Sequence, residues 1–213
     1  MEPGFDFFIG GLEDSILATL QVSMPYVKDF ASYGGELDLD EVKRALGALT
    51  PRFPLVMVSY TEGEDVECPP LAAIPGDSRI FRHDCTLAVM LCTNDARGDR
   101  AQRRGRGQST GVYKMIADTK LALDCVQFTA TFAPEGQAPQ QVLLNPEPLK
   151  PVGVQYLARL PQLTAYILHY QTYFKYFSPE RSTPLPLVSE LVFGVENTYP
   201  KIPAEQLPGV VTG

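Results

Sequence analysis

The sequence predicts an α+β domain with a single mostly antiparallel or mixed sheet and helices packed on one face. Three segments repeat apolar residues with the spacing of an amphipathic helix, and other segments alternate apolar and polar residues or form short apolar runs typical of strands. The predicted order is helix, strand, helix, strand, strand, helix and then further strands. This order contains no internal repeat and indicates an α+β domain.

Composition sets the limits within which this domain must work. The chain has 213 residues, of which 45% are hydrophobic and 10% aromatic, enough to bury a core in one domain with extensions. No apolar run approaches the roughly 20 residues that span a bilayer, and Met1–Gly10 lacks the basic region of a secretory signal. A net charge of −7 argues against a general nucleic-acid binder. We therefore expect a protein that functions without membrane insertion.

The first elements follow from apolar spacing and from helix-ending residues. Positions 1–10 are rich in Gly and Phe and are predicted to form an N-terminal arm. Leu12–Met24 is a predicted helix that Pro25 ends, and Asp38–Leu49 is a second one with a capping Asp at its start. The compact apolar run Leu55–Tyr60 is predicted to be a central strand, covered on both faces.

An acidic, Pro-rich segment separates this strand from the next. Positions 61–78 are predicted to form a long surface loop. Its carboxylates at Glu62–Glu67 could bind a divalent cation, but they lack the alternating Asp/Asn and Gly pattern of a calcium loop, so we expect them to be solvated. Arg79–Thr93 follows as a long strand with one apolar face and one end exposed.

The segment at positions 94–109 is the strongest charged feature of the chain. Five arginines stand there against Asp95 and Asp99, a local net charge of +3 in an acidic protein, and glycines between them predict a flexible loop. Three interpretations remain open: a solvated loop, a docking arm for an acidic protein surface, and a phosphate contact. The candidate partner-binding residues are Arg97, Arg100, Arg103, Arg104 and Arg106.

The second half is predicted to add one helix and several strands. Gly111–Cys125 is a helix capped by Thr110, and the short strands near it are Gln127–Phe132, Gln141–Leu144 and Val152–Leu157. Thr164–Phe177 is a long strand with an aromatic even face. The chain becomes rich in Pro after Ser178, so the predicted organisation is an arm at 1–10, a core domain at 11–178 and a C-terminal extension at 179–213.

Residues that could carry chemistry do not converge in the sequence. His83 and His169 each lie inside a strand without ligand neighbours at metal-binding spacing. Cys85 lies two residues from His83 but belongs to an apolar stripe, and a nucleophilic thiolate needs a polar setting. The four cysteines form no C-x-x-C pair, and nucleotide-binding motifs are absent. We therefore expect no catalytic, cofactor or metal site, and a protein that is not an enzyme.

Several of these segments together resemble the Mu-like bacteriophage tail terminator family, over roughly residues 11–178. The most specific passage is a strand, an Asn-x-x-Arg-Gly turn, an Arg-rich link and a Gly-aromatic helix start. The segments that carry the resemblance are Leu12–Leu20, Leu39–Leu49, Pro54–Val58, Thr86–Leu91, Asn94–Gly98, Gly111–Asp118 and Ala165–Phe177.

The resemblance implies a structural virion protein with a tail-terminator-like fold that forms a homohexameric ring. Such a ring caps the head-proximal end of the tail tube, ends its polymerisation and meets the head–tail connector. The implied partners are other copies of the chain, the tail tube protein, the connector and, in contractile tails, the sheath protein. DNA passes through without sequence-specific binding. The implied location is the virion, after assembly in the host cytoplasm, and no catalytic residue is carried over.

Two other functions are compatible with the same sequence. A head-completion or connector protein of the neck would share ring symmetry but dock on the portal side. A small enzyme with an unfamiliar site is the alternative from another class, and it would require a convergent polar pocket.

Overall fold

The structure is a computed structural model that describes residues 3–32, 52–68, 78–94, 99–105, 110–160 and 163–179. The chain divides between Pro179 and Glu180, and the described residues all belong to the first unit. The predicted helix Asp38–Leu49 and most of the Pro-rich C-terminal extension lie outside these residues. Among the described helices, none has the length and apolar character to cross a membrane.

A five-stranded mixed sheet forms the centre of the fold. Its strand order is β1–β2–β3–β7–β6, with β1 parallel to β2 and all other neighbours antiparallel. The strands are β1 Asp29–Ser32, β2 Leu55–Glu67, β3 Ser78–Asn94, β6 Lys150–Leu160 and β7 Leu163–Pro179. The α+β class and the mixed sheet are thus confirmed. The prediction of a single sheet is wrong, because β4 Thr129–Phe132 and β5 Gln140–Leu143 form a separate two-stranded sheet.

The three apolar strands that the sequence predicts pair with one another in this sheet. Val58 of β2 pairs with Val89 of β3, which pairs with Leu168 of β7. Leu168 lies on the even face of β7, whose central side chains Tyr170 and Phe174 are fully buried. Aromatic residues at alternate positions therefore define the core side of this strand, as the period of two requires.

Three helices are described: α1 Phe5–Ser23, α2 Asp99–Arg104 and α3 Val112–Leu123. The buried faces of α1 and α3 pack into one apolar cluster with one face of the sheet. The opposite face is also buried around a second cluster. Its buried residues are Leu55, Met57, Ala88, Met90, Cys92, Leu163, Ala165 and Ile167.

Two segments that the sequence predicts as an arm and a loop belong to a helix and a strand. Helix α1 begins at Phe5, so the arm predicted at 1–10 is wrong for positions 5–10, where Phe8 is buried and stacks on Phe174 with ring centroids 4.8 Å apart. The loop predicted from position 61 is also wrong, because β2 continues to Glu67 by pairing with β3. All side chains at 61–67 are exposed, so backbone pairing and not burial forms this part of the strand.

Candidate functional site

The arginine segment is anchored to the sheet by buried polar groups. Gln102 lies in α2 at the ends of β3 and β7, and its side chain is almost fully buried. The Thr93 hydroxyl donates a hydrogen bond to the Gln102 backbone carbonyl at 3.0 Å, and the Thr164 hydroxyl donates one to Gln102 Oε1 at 2.6 Å. The predicted flexible loop is therefore wrong for positions 99–104, because buried hydrogen bonds fix this helix.

Two glycines allow α2 and α3 to approach each other closely. Gly105 has a φ of +75° and its amide donates to the Ala101 carbonyl at 2.8 Å, so it ends α2 in the left-handed conformation that glycine adopts without strain. A Cβ at Gly111, the N-cap of α3, would overlap the backbone of Gly105 and Arg104. The close packing of α2 and α3 thus requires glycine at both Gly105 and Gly111.

The anchored helix presents its arginines at the protein surface. Arg100 and Arg104 are exposed, and Arg103 is half-buried with its Nη1 3.5 Å from the Tyr113 hydroxyl. Together with Tyr113 these arginines line an open pocket of about 280 Å³. Arg97 and Arg106, the other two predicted partner-binding residues, lie outside the residues that the structure describes.

Tyrosines continue this surface across the end of the sheet. Tyr113 of α3 packs edge-on against Tyr166 of β7 with ring centroids 6.1 Å apart, and Tyr156 of β6 also packs edge-on against Tyr166, with ring centroids 5.2 Å apart. Burial, with a smaller contribution from the Tyr113 hydroxyl, raises the pKa of Tyr166. Tyr113 and Tyr156 remain 42% and 47% exposed, and Val154 beside them is 42% exposed. All three therefore offer apolar area to a partner.

We name this region the arginine–tyrosine surface. It consists of Arg100, Arg103, Arg104, Tyr113, Val154 and Tyr156. Tyr and Arg are the residue types enriched in protein–protein interfaces, because they combine a large contact area with directed polar groups. Sequence reasoning found the arginines from their local charge excess but missed the tyrosines. Three separate elements supply these residues, and no local pattern connects them.

The strand histidine that the sequence singled out is part of a closed polar network. His83 Nδ1 lies 2.7 Å from Asp65 Oδ1, and His83 Nε2 lies 3.1 Å from the Tyr60 hydroxyl. The ring of Phe5 packs edge-on against the imidazole with centroids 4.8 Å apart. Both ring nitrogens therefore have a partner within the chain. In the part of the chain that the structure describes, no group of three or more His, Cys, Asp or Glu side chains is placed to hold a metal ion.

The neighbouring thiol is protonated and buried. Cys85 is 2% exposed within the apolar cluster, and burial raises its pKa to about 12, with a smaller effect of Asp84. A nucleophilic cysteine needs the opposite environment, one that favours the thiolate. Cys85 and His83 thus do not form the nucleophile–base pair that their spacing suggested as an alternative.

A polar groove of about 480 Å³ crosses the sheet from Glu62 and Glu64 of β2 to Lys150 of β6. Four carboxylates and two cations line it, and the cation Arg82 is paired with Asp84 at 2.6 Å and stacks on Tyr173 at 4.1 Å. The Lys150 ammonium pairs with Glu147 at the other side. The two cations of this open groove are thus each paired with a neighbouring carboxylate, and Glu62 and Glu64 leave the lining with an excess of negative charge.

The comparisons with known proteins identify one family. The model of the family described as "Bacteriophage Mu, Gp37" matches residues 8–173, which is most of the chain and includes α2, α3, most of α1 and nearly all of the sheet. A search of curated proteins gave no match. The resemblance to a Mu-like phage family is therefore confirmed, and the chain belongs to the Bacteriophage Mu Gp37 family.

Proposed function

We propose that this protein is a tail terminator, a structural virion protein that caps the head-proximal end of a phage tail tube as a homohexameric ring. Membership of a Mu phage family supports the coarser statement of a phage structural protein. The observation that carries the finer proposal is the arginine–tyrosine surface, an exposed interface-like region that buried hydrogen bonds hold rigidly on the fold.

The physical task of a terminator agrees with this architecture. A tube grows because each ring offers an open face to the next, so a cap must match that face on one side and present a different face on the other. Such a task requires large protein–protein surfaces and no reaction centre. His83 and both cations of the polar groove are paired within the chain, which agrees with a structural protein.

The proposed partners follow from that position in the particle. They are neighbouring copies in the ring, the tail tube protein, the head–tail connector and, in a contractile tail, the last ring of sheath protein. DNA would pass through the ring without sequence-specific contacts. A net charge of −7 would keep the DNA from adhering to the ring as it passes.

Particles produced without this gene test the proposal. We expect tails longer than those of the wild type, because nothing ends polymerisation of the tube, and electron microscopy measures their length directly. In complete particles we expect six copies in a head-to-tail ring, each interface burying more than about 800 Å² per partner. Tails of normal length that fail only to join heads would contradict the terminator proposal and identify a neck connector.

A further inference from the structure

Two oppositely charged regions lie at opposite corners of the central sheet. One is the arginine–tyrosine surface. The other is the acidic end of β2, positions 61–67, where four acidic side chains occur without a basic one. These side chains are exposed, and Glu62 and Glu64 lie on one face with Val66, which is 48% exposed. Arg82 lies opposite Val66 on β3 but is paired with Asp84, so each region keeps a net charge of one sign beside apolar area.

The strand register keeps the two regions apart within one copy. Glu64 of β2 pairs with Asp84 of β3. Tyr156 of β6 pairs with Tyr166 of β7, which in turn pairs with Leu91 of β3. Seven residues along β3 correspond to roughly 23 Å, and the three strand spacings from β2 to β6 add about 14 Å across the sheet. The side chains of one region cannot bridge this separation, so their charges can meet only between copies.

Both regions also lie at edges of the sheet, as the described residues form it. Strand β6 is one edge, and its side chains at 151–156 are exposed. On the other edge, β1 pairs only with Leu55–Val58, so that the acidic end of β2 has no strand beside it among the described residues. A ring needs head-to-tail contacts between two different surfaces of the same subunit. Edges on opposite sides of one sheet meet this geometric requirement.

We propose that the arginine–tyrosine surface of one copy docks on the acidic end of β2 of the next copy, and that this contact closes the ring. The inference rests on the proposed function, since it names the interface of the ring assumed there. Arginine forks form paired hydrogen bonds with carboxylates, which give the contact direction as well as charge complementarity. Tyr156 and Val154 contribute apolar area to this contact, as the centre of a permanent interface requires.

Charge reversal on either side tests the contact. The arginine-reversed variant is Arg100→Glu with Arg104→Glu, and the acid-reversed variant is Glu62→Arg with Glu64→Arg; all four side chains are exposed. Each variant is produced alone in place of the wild-type protein. We expect a roughly tenfold or greater loss of tails that carry a closed ring, because like charges then face each other at every interface.

Mixing the two variants distinguishes a contact between copies from any other contact. An arginine-reversed subunit carries two acidic surfaces. In an acid-reversed subunit the face of β2 with positions 62, 64 and 66 carries only arginine as charged residue, so that this face and the arginine–tyrosine surface are both basic. Alternating subunits therefore match at every interface. Co-production of both should therefore restore closed rings with three copies of each, and the variant with all four changes should also restore them. The matched control carries Lys28→Glu and Glu135→Arg, which reverse exposed charges elsewhere, and should form rings as the wild type does.

Three results would overturn the inference. Closed rings in both single variants would show that the acidic end of β2 only protects an exposed strand edge from aggregation. Defects that neither the mixture nor the fourfold variant repairs would place the arginines against another protein or DNA. If a reversed variant does not fold, Arg100→Ser with Arg104→Ser gives the same test, and unchanged ring formation there would overturn the contact. A wild-type protein that forms no ring contradicts the proposed function itself, which is a separate outcome.

Discussion

Leu87 is a single side chain on which the central packing depends. It is fully buried in β3, where its backbone pairs with Tyr60 of β2 and Tyr170 of β7. We expect Leu87→Ala to lower the free energy of unfolding by roughly 2–5 kcal/mol, since the change removes buried methyl groups and leaves a cavity. Chemical denaturation of the purified chain measures this loss.

The matched control for this change is a leucine at the surface. Leu121→Ala in α3 truncates a side chain that is 88% exposed and should alter stability by less than about 0.5 kcal/mol. If Leu87→Ala is as stable as Leu121→Ala, Leu87 does not face the core and the register of β3 is wrong.

We expect the free energy of unfolding to depend on pH through the carboxylate of Asp118. Asp118 accepts a hydrogen bond from the Tyr26 hydroxyl at 2.5 Å and pairs with Lys114 Nζ at 2.7 Å. Burial alone raises the pKa of Asp118, but the hydrogen bonds from Lys114 and Tyr26 outweigh burial and lower it below the ordinary value. The phenol of Tyr26 has a raised pKa from burial and from Asp118, so it remains a donor.

The sign of the effect follows from the lowered pKa. The stabilisation is present above the pKa of Asp118 in the unfolded chain and is lost as pH falls through its lower pKa in the folded chain. Asp118→Asn should cost less than about 1 kcal/mol at neutral pH, since solvent screens the pair. The difference between wild type and variant should shrink when unfolding is measured below about pH 4. A difference that grows on acidification would mean that Asp118 is not held in its ionised form.

At the scale of elements, the packing of α2 against α3 depends on the missing side chain at Gly111. A Cβ there would overlap backbone atoms of α2, which cannot move aside as a flexible side chain can. We expect Gly111→Ala to destabilise the fold by roughly 1–3 kcal/mol through overpacking. Hydrogen exchange at the Gly105 amide, which bonds to Ala101, should become faster as α2 is displaced.

The same substitution elsewhere should have the opposite sign. Gly10 lies inside α1, and nothing lies within 4 Å of the position that its Cβ would occupy. Gly10→Ala should therefore stabilise the chain by roughly 0.5–1 kcal/mol, because alanine loses less conformational freedom in a helix. If both variants destabilise to the same extent, the contact of α2 with α3 is looser than the structure describes.

The elements with a buried face gave the clearest signals in the sequence. The positions Leu12, Ile16 and Leu20 of α1 and the alternating aromatic residues of β7 repeat with the periods of a helix and a strand, and both sets are buried. The acidic end of β2 offered no such repeat. Its strand conformation comes from hydrogen bonds to β3, a partner that is distant in sequence.

The candidate site was predictable only in part, because its placement also depends on a residue that is distant in sequence. The charge excess of Arg100, Arg103 and Arg104 is visible in the sequence, but their rigid placement is not. It depends on Thr164, which lies 62 positions from Gln102 in the chain and donates a buried hydrogen bond to its side chain. A local reading assigns such a segment to a flexible loop, because glycine and charge are its only local signals.

At the scale of the whole molecule, the distribution of charge matters more than its sum. The net charge of −7 disfavours contact with DNA, while the arginine–tyrosine surface concentrates positive charge at one corner of the sheet. The acidic end of β2 concentrates negative charge at the opposite corner. In the proposed ring, these opposite charges would favour ordered head-to-tail contacts between copies over random association.

Replacing the exposed arginines with serine tests whether they act in assembly, in folding or in the passage of DNA. Arg100→Ser with Arg104→Ser removes two exposed side chains, so the free energy of unfolding of the isolated chain should stay within about 0.5 kcal/mol of wild type. Tail completion or head joining should nevertheless be impaired, because the arginines lose their carboxylate partners on a neighbouring protein.

Infection by these particles then decides which partner the arginines contact. Electron microscopy of tails and measurement of DNA ejection give the two readouts. Particles that assemble and infect normally would show that the arginines are only solvated. Particles that assemble normally but fail to eject DNA would show a phosphate contact, since ejection moves DNA past the ring after assembly is complete. Impaired assembly with an intact fold is the result that a protein partner requires, because arginine forks bind best to carboxylates held in fixed positions.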